Sequence, residues 1–180
     1  IDENERLKNR VESMEKINIK KGSKADLLVN LTLESGVELY LDQFDTPCIS
    51  LPDRPLAGFS IENAVFKRWL SGNFWEISKQ GISRDDFLKV VSCLEGKAYH
   101  ERNNQVLYNR VAQKEGIIYY DLGDDHKVVR VSSDGWVVTA DCPVKFRRFK
   151  HQLPQVDPDS NNPNLFKVID YINLRSGGDK

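Results

Sequence analysis

The chain has 180 residues, a formal net charge of -1, a pI near 6.4, 39% hydrophobic and 29% charged residues, and a mean hydropathy of -0.52. That length can bury a core in one domain, and the near-neutral charge excludes a global attraction to nucleic acid, so that only a local basic patch could make one. No apolar run reaches membrane-spanning length and no signal peptide opens the chain; Cys48, Cys93 and Cys142, odd in number and far apart, speak against a zinc site or disulfide framework and for a reducing compartment.

Residues 1–22 read as a lead-in helix or linker, with Leu7, Val11, Met14 and Ile17 at helical spacing. A start at Ile1 and a polar Gly-Gly tail give the sequence the look of a piece excised from something longer. Lys20, Lys21 and Lys24 flank Gly22-Ser23, but without P-loop spacing or a preceding strand. Ser23 is placed to cap a short helix over 24–34, with Asp26 in its first turn, Leu27, Leu28 and Leu31 on its buried face, and Gly36 past its end. A hairpin comes next: a strand over 37–41, a turn through Asp42 to Asp45, and a strand over 47–51. Pro52-Asp53-Arg54-Pro55 then predicts an extended turn.

The strongest helical pattern spans 61–79 and opens after Ser60, with Phe66, Trp69, Leu70, Phe74 and Ile77 in one apolar stripe. Trp75 falls opposite that stripe, close to Arg68 and Gly72. The expectation is that another part of the chain, the N-terminal arm or the 52–59 loop, buries its ring. The alternative makes Arg68 and Trp75 an exposed anchor for a partner. Ser83 caps the next helix with Asp86 as a capping-box variant, Phe87, Val90, Val91 and Leu94 face the core, and Gly96 is expected to stop it.

From Ala98 the apolar period changes to two. Val106, Tyr108 and Val111 precede a turn at 114–116, and then come a strand over 117–122, a turn at Gly123-Asp124-Asp125 and a strand over 127–131. Asp134-Gly135 signals a tight hairpin with positive φ at Gly135, and 136–140 is the returning strand. Pro143 breaks the sheet before a basic run, and Pro154, Pro158 and Pro163 mark an exit linker over 155–180, with 165–174 as one last strand or helical turn. The predicted fold is α+β: an antiparallel β-meander packed against two main helices, a short N-terminal helix and hairpin before them, and extended terminal arms, with one domain over 23–154.

Little of this pattern carries catalytic chemistry. His100, His126 and His151 lack metal-ligand spacing, and no nucleophile elbow or Gly-rich phosphate loop occurs. Asp124-Asp125 reads as a turn and Asp85-Asp86 as a helix start. The reading for this chain is therefore non-enzymatic, with no cofactor and no metal. One charge asymmetry remains: Lys145, Arg147, Arg148, Lys150 and His151, interleaved with Phe146 and Phe149. Basic residues alternating with rings can hold phosphates while the rings stack on unpaired bases. Equally, Phe146 and Phe149 can anchor the segment in the core while the charges face water. Helix, link, helix and hairpin also suggest a winged helix, but Asp85, Asp86 and Glu95 counter Arg84 and Lys89 on its would-be recognition helix.

A resemblance adds to this reading. The motifs run from S-x-A-D-L-L-x-x-L (23–31) through E-L-Y-L-D (38–42), F-K-R-W-L-S (66–71), L-E-G-K-A (94–98) and N-R-V-A (109–112). They continue with I-Y-Y-D-L-G-D (118–124), D-G-W-V-V (134–138), P-V-K-F-R-R (143–148) and L-P-Q-V-D-P (153–158). In this order they resemble the domain that precedes the P-loop ATPase in mobile-element proteins of prophages, plasmids and genomic islands, which are similar to primase-helicases or replication ATPases. The resemblance covers residues 23–174. It implies a bacterial or archaeal cytoplasmic protein, with an ATPase domain following Lys180 and no ATP site in the present stretch. It further implies an accessory, non-catalytic module that contacts single-stranded or forked DNA, with Lys145, Arg147, Arg148, Lys150, Phe146 and Phe149 as the candidate contacts. The alternative is a protein-interaction or oligomerisation module that positions the ATPase domain or neighbouring subunits, with Arg68 and Trp75 as candidates. Neither reading involves a membrane.

Overall fold

The computed structural model describes residues 23–158 apart from Asp125 and Lys150. The predicted lead-in helix over 1–22 and the last element over 165–174 lie outside the described residues. Helix α1 (Lys24–Glu34) begins as its capping signal predicts: Ser23 Oγ accepts from the Asp26 N–H at 3.3 Å, and Asp26 Oδ2 accepts from the Ser23 N–H at 2.7 Å. Strands β1 (Glu38–Leu41) and β2 (Pro47–Leu51) pair antiparallel with Leu41 opposite Pro47. The turn between them is tied by Asp42 Oδ1, which accepts from the N–H groups of Phe44 and Thr46 at 2.8 and 2.9 Å.

The next stretch departs from expectation. Residues after Pro52 form no extended loop; Leu51 pairs with Arg54, and the chain returns at once as β3 (Arg54–Ser60). Its Leu56, Ala57 and Phe59 are buried and uncharged, the mark of a strand covered on both faces. Helix α2 (Ala64–Ser78) therefore starts three residues later than predicted, at an Asn63 cap whose Oδ1 accepts from the Val65 N–H at 2.8 Å. Helix α3 (Arg84–Glu101) is capped by Ser83 as expected but runs through Gly96 to Glu101, with Arg102 as its C-cap. A lone glycine in a helix costs only about 1 kcal/mol against alanine, and the buried face carried by Val90, Val91, Leu94 and Ala98 outweighs it.

Strands β4 (Leu107–Tyr108), β5 (Val111–Lys114), β6 (Ile117–Asp121), β7 (Val128–Ser132), β8 (Gly135–Thr139) and β9 (Lys145–Arg147) complete the described elements. Strands β5 to β8 form the predicted antiparallel meander in sequence order. Its first turn holds Glu115 and Gly116 at φ 54° and 78°, the double positive-φ geometry of a two-residue hairpin. In the last, between β7 and β8, Ser132 pairs with Gly135, so Ser133-Asp134 are the loop residues and Gly135, at φ 121°, opens the returning strand.

Pro143 ends the meander, but the chain then crosses to the other sheet, whose order is β1-β2-β3-β9-β4. Strand β9 lies between β3 and β4 and runs parallel to both. Close approach there needs Gly58, where an added Cβ would sit 2.5 Å from Leu107 Cδ2 and 2.8 Å from Tyr40 Oη. The α+β class is as predicted, and the layer that the helices cover is this first sheet. Leu28, Phe66, Leu70, Phe87, Val90 and Leu94 pack with Leu39, Ile49, Leu51, Ala57 and Phe59 in the larger core. The meander instead contributes Ala112, Tyr119 and Val128 to a second core with Leu56, Val144 and Phe146.

Candidate nucleic-acid interface

The basic run owes its position to alternation around a proline. After Pro143, Val144 and Phe146 point inward and are fully or almost fully buried, so Lys145 and Arg147 emerge between them. Each emerging charge meets an acceptor. Lys145 Nζ donates to the Pro55 carbonyl at 2.8 Å, pairs with Glu38 Oε2 at 3.2 Å and lies 5.9 Å above the Tyr40 ring. Arg147 donates to Asp42 Oδ2 and stands 6.0 Å from the Phe44 ring centroid. Arg148 Nη1 and Nη2 grip the two oxygens of buried Asp121.

The expected open patch of Lys145, Phe146, Arg147, Arg148 and Phe149 is corrected accordingly. Phe146 has no exposed surface and cannot stack on a base, and the three charges are spent on the fold because a central strand must neutralise what it buries. Phe149 is the exception: just past β9, the residue is 53% exposed. Lys150 lies outside the described residues. Burial would raise the Asp42 carboxyl, but the Arg147 hydrogen bond and the Thr46 and Phe44 N–H groups outweigh it and hold the carboxyl below the usual carboxylate range.

Beside Phe149 the fold opens a concavity of about 580 Å³. Arg54 enters it from the start of β3, Arg68 from the second turn of α2, and Arg148 from the end of β9. Asn63, Ala64 and Val65 present the α2 N-terminus to the same space, and Phe149 with Gln152 forms a further wall. No acidic residue lines it among the described residues, and the first turn of α2 carries none either. Arg54 keeps Asp53 at 3.7 Å and Arg148 keeps Asp121, whereas exposed Arg68 has no ion-pair partner among the described residues. Guanidinium groups and a helix N-terminus facing one space suit a phosphate or another multiply charged anion, and a ring at the wall adds a surface for stacking.

Two groups of candidates that were separate in the sequence thus meet here, Arg68 with Arg148 and Phe149. The residues that sequence reasoning missed are Arg54 and Asn63. The available signal was the uncharged run Leu56–Phe59, which makes Arg54 the start of a strand and delays the helix cap to Asn63. The expectation for Trp75 is overturned, since the residue is 51% exposed. The segment expected to cover it is strand β3, held in the sheet, and the other, residues 1–22, lies outside the described residues. Arg68 and Trp75 are seven residues apart on α2, hence on one exposed face about 10 Å from each other.

His100, His126 and His151 are exposed, and among the described residues no three His, Cys, Asp or Glu side chains gather as metal ligands. No helix among the described residues is long and apolar enough to cross a membrane. Compared with protein-family models, with curated proteins and with solved structures, the chain matches none.

Proposed function

We propose that this domain is a non-catalytic module that contacts nucleic acid, with its contact surface at the Arg54–Arg68–Arg148 concavity and the Phe149 ring. The observation that carries the reading is the meeting of exposed Arg68, the α2 N-terminus and exposed Phe149, with Arg54 and Arg148 alongside, on one hollow that no acidic residue lines among the described residues. Arg68 supplies a phosphate contact, Arg54 and the helix start reinforce it, and Phe149 stacks on an unpaired base. Stacking needs a splayed base, so single-stranded or forked DNA fits better than duplex. The resemblance to the domain preceding a mobile-element ATPase supports the same role: an accessory grip on DNA for a cytoplasmic replication or helicase motor whose ATP chemistry lies elsewhere.

The test is a titration with single-stranded, duplex and forked DNA at several salt concentrations. Binding should weaken steeply with salt, and Arg68→Ser should lower affinity on all three forms and reduce the salt slope by about 1. Phe149→Ala should cost affinity only where unpaired bases are present. Equal binding by native protein and both variants removes this surface from the account.

A second reading is favoured by one observation, the exposed Trp75 ring on the face that carries Arg68. Tryptophan and arginine are the commonest anchors of protein interfaces. In that reading the domain holds the ATPase domain or a neighbouring subunit. Absence of DNA binding at low salt, with association abolished by Trp75→Ala, selects it.

A further inference from the structure

Phe149 is held by its backbone rather than by its ring. The residue is exposed, and among the described residues no aromatic ring and no cation packs on it. It follows the end of β9, outside any strand or helix that could fix its direction. A ring on an irregular segment loses conformational freedom when a base stacks on it, and that loss weakens binding unless the segment is ordered beforehand.

The ordering comes from both sides. Before the ring, Arg148 N–H donates to the Gly58 carbonyl at 3.2 Å, and the Arg148 guanidinium grips buried Asp121. After it stands Gln152. The Gln152 N–H donates to the Phe149 carbonyl at 3.1 Å, and Gln152 Oε1 accepts from the Phe149 N–H at 3.3 Å. Both polar groups of the Phe149 backbone are thus bonded to one residue. The other end of the same amide, Nε2, donates to Asp121 Oδ2 at 3.1 Å. A primary amide is donor and acceptor at once, so this side chain ties the backbone of the ring to a fixed, buried carboxylate.

Asp121 is neutralised without that bond. Arg148 covers both of its oxygens, and the Gly123 N–H donates to Oδ1 at 2.9 Å. The larger effect of the bond is on Gln152, whose amide would otherwise turn freely about its side-chain torsions. Gln152 also lines the hollow that Phe149 shares with Arg68 and the start of α2.

We propose that Gln152 is the specificity-determining residue of this hollow: by holding Phe149 ready for stacking, it sets the preference for unpaired over paired DNA. The inference rests on the nucleic-acid reading above. Gln152 acts through Phe149, so it is a positioning residue, and its loss should leave the salt-dependent phosphate contact of Arg68 alone.

Gln152→Met keeps the length of the side chain and removes both of its hydrogen bonds. The test is a titration of the whole 180-residue chain with a thymidine oligonucleotide and with a blunt duplex of equal length. The native protein should favour the single strand. Gln152→Met should bind that strand about fivefold more weakly, with duplex affinity and salt slope unchanged. In a Phe149→Ala background the same substitution should have no further effect, because the ring that it positions is gone; a merely structural role would persist there. A measurement on the native protein decides if Gln152→Met fails to fold: the Phe149 amide hydrogen should exchange roughly tenfold or more below the rate of an unstructured chain. An unprotected Phe149 amide, an unchanged preference in Gln152→Met, or equal losses with and without the Phe149 ring overturns this proposal alone. Absence of binding to either DNA by the native protein at low salt overturns the nucleic-acid reading and this proposal with it.

Discussion

Arg148 and Asp121 close a two-pronged ion pair across 27 residues of sequence, with Nη2 3.0 Å from Oδ1 and Nη1 on Oδ2. The Gly123 N–H at 2.9 Å and Gln152 Nε2 at 3.1 Å complete the set of donors around a carboxylate with no exposed surface. The pair fastens the segment after β9 to the end of β6, and it sets one wall of the arginine-lined hollow. An arginine read from sequence as free to bind is here first a structural clamp.

Removing either partner should therefore act on stability. Arg148→Ala leaves the buried Asp121 carboxylate without its counter-charge, at an expected cost of about 3–5 kcal/mol in urea unfolding. Arg148→Lys should restore less than half, because an ammonium cannot make the planar fork. A native unfolding midpoint in Arg148→Ala would refute the clamp. For the same reason serine at Arg147 and Arg148 is expected to unfold the domain, and a DNA-binding test belongs on Arg68 and Phe149.

Asp42 predicts a pH dependence. Its carboxyl is held below the usual range, so the unfolded state binds a proton at higher pH than the folded state does. The stability it contributes is fully present above the unfolded carboxylate value, about 4, and is lost as pH falls through the folded value. Asp42→Asn should cost about 2–4 kcal/mol at pH 7, towards the lower end for a broken buried pair because Arg147 keeps some solvent. The difference between native and variant should shrink as pH falls below 4, as chemical denaturation at each pH would show. A gap that widens on acidification would reverse the sign and exclude this account.

Two glycines separate steric from torsional strain. Gly58→Ala places a Cβ against Leu107 and Tyr40, both almost fully buried, and should destabilise by about 1–3 kcal/mol through overpacking. Gly135→Val meets no atom within 4 Å but must adopt φ 121°, so it should cost more than about 1 kcal/mol through the backbone alone. Thermal melts check both, and an unchanged Tm in Gly135→Val would place the turn elsewhere.

Trp75 offers the converse test. A half-exposed ring contributes little to the core, so Trp75→Ala should change stability by no more than about 0.5 kcal/mol. Phe74→Ala, one residue earlier on the buried side of α2, should cost about 3–5 kcal/mol. Comparable losses in the two variants would mean that Trp75 is covered in solution.

Local signals are legible wherever a residue acts on its immediate neighbours. Ser23 and Ser83 cap the helices that their spacing predicts, and the 38–51 hairpin and the 111–139 meander come from alternation and turn chemistry. The misreadings share a cause. Pro52 and Pro55 suggest a loop, but pairing with β2 and β9 and the burial of Leu56 to Phe59 make a strand of the residues after them. Gly96 suggests a stop, and packing of α3 carries the helix past it. Composition and local pattern by themselves determined a near-neutral α+β domain, its order of helices and hairpins, and the charges available for binding. Only the tertiary structure decided which of those charges remain available. The destination of β9, between two strands distant in sequence, depends on long-range pairing that no local period encodes. Once that strand is placed, Asp42 and Asp121 claim Arg147 and Arg148, because a buried carboxylate is tolerated only when paired, and Arg68 and Phe149 are left facing outward.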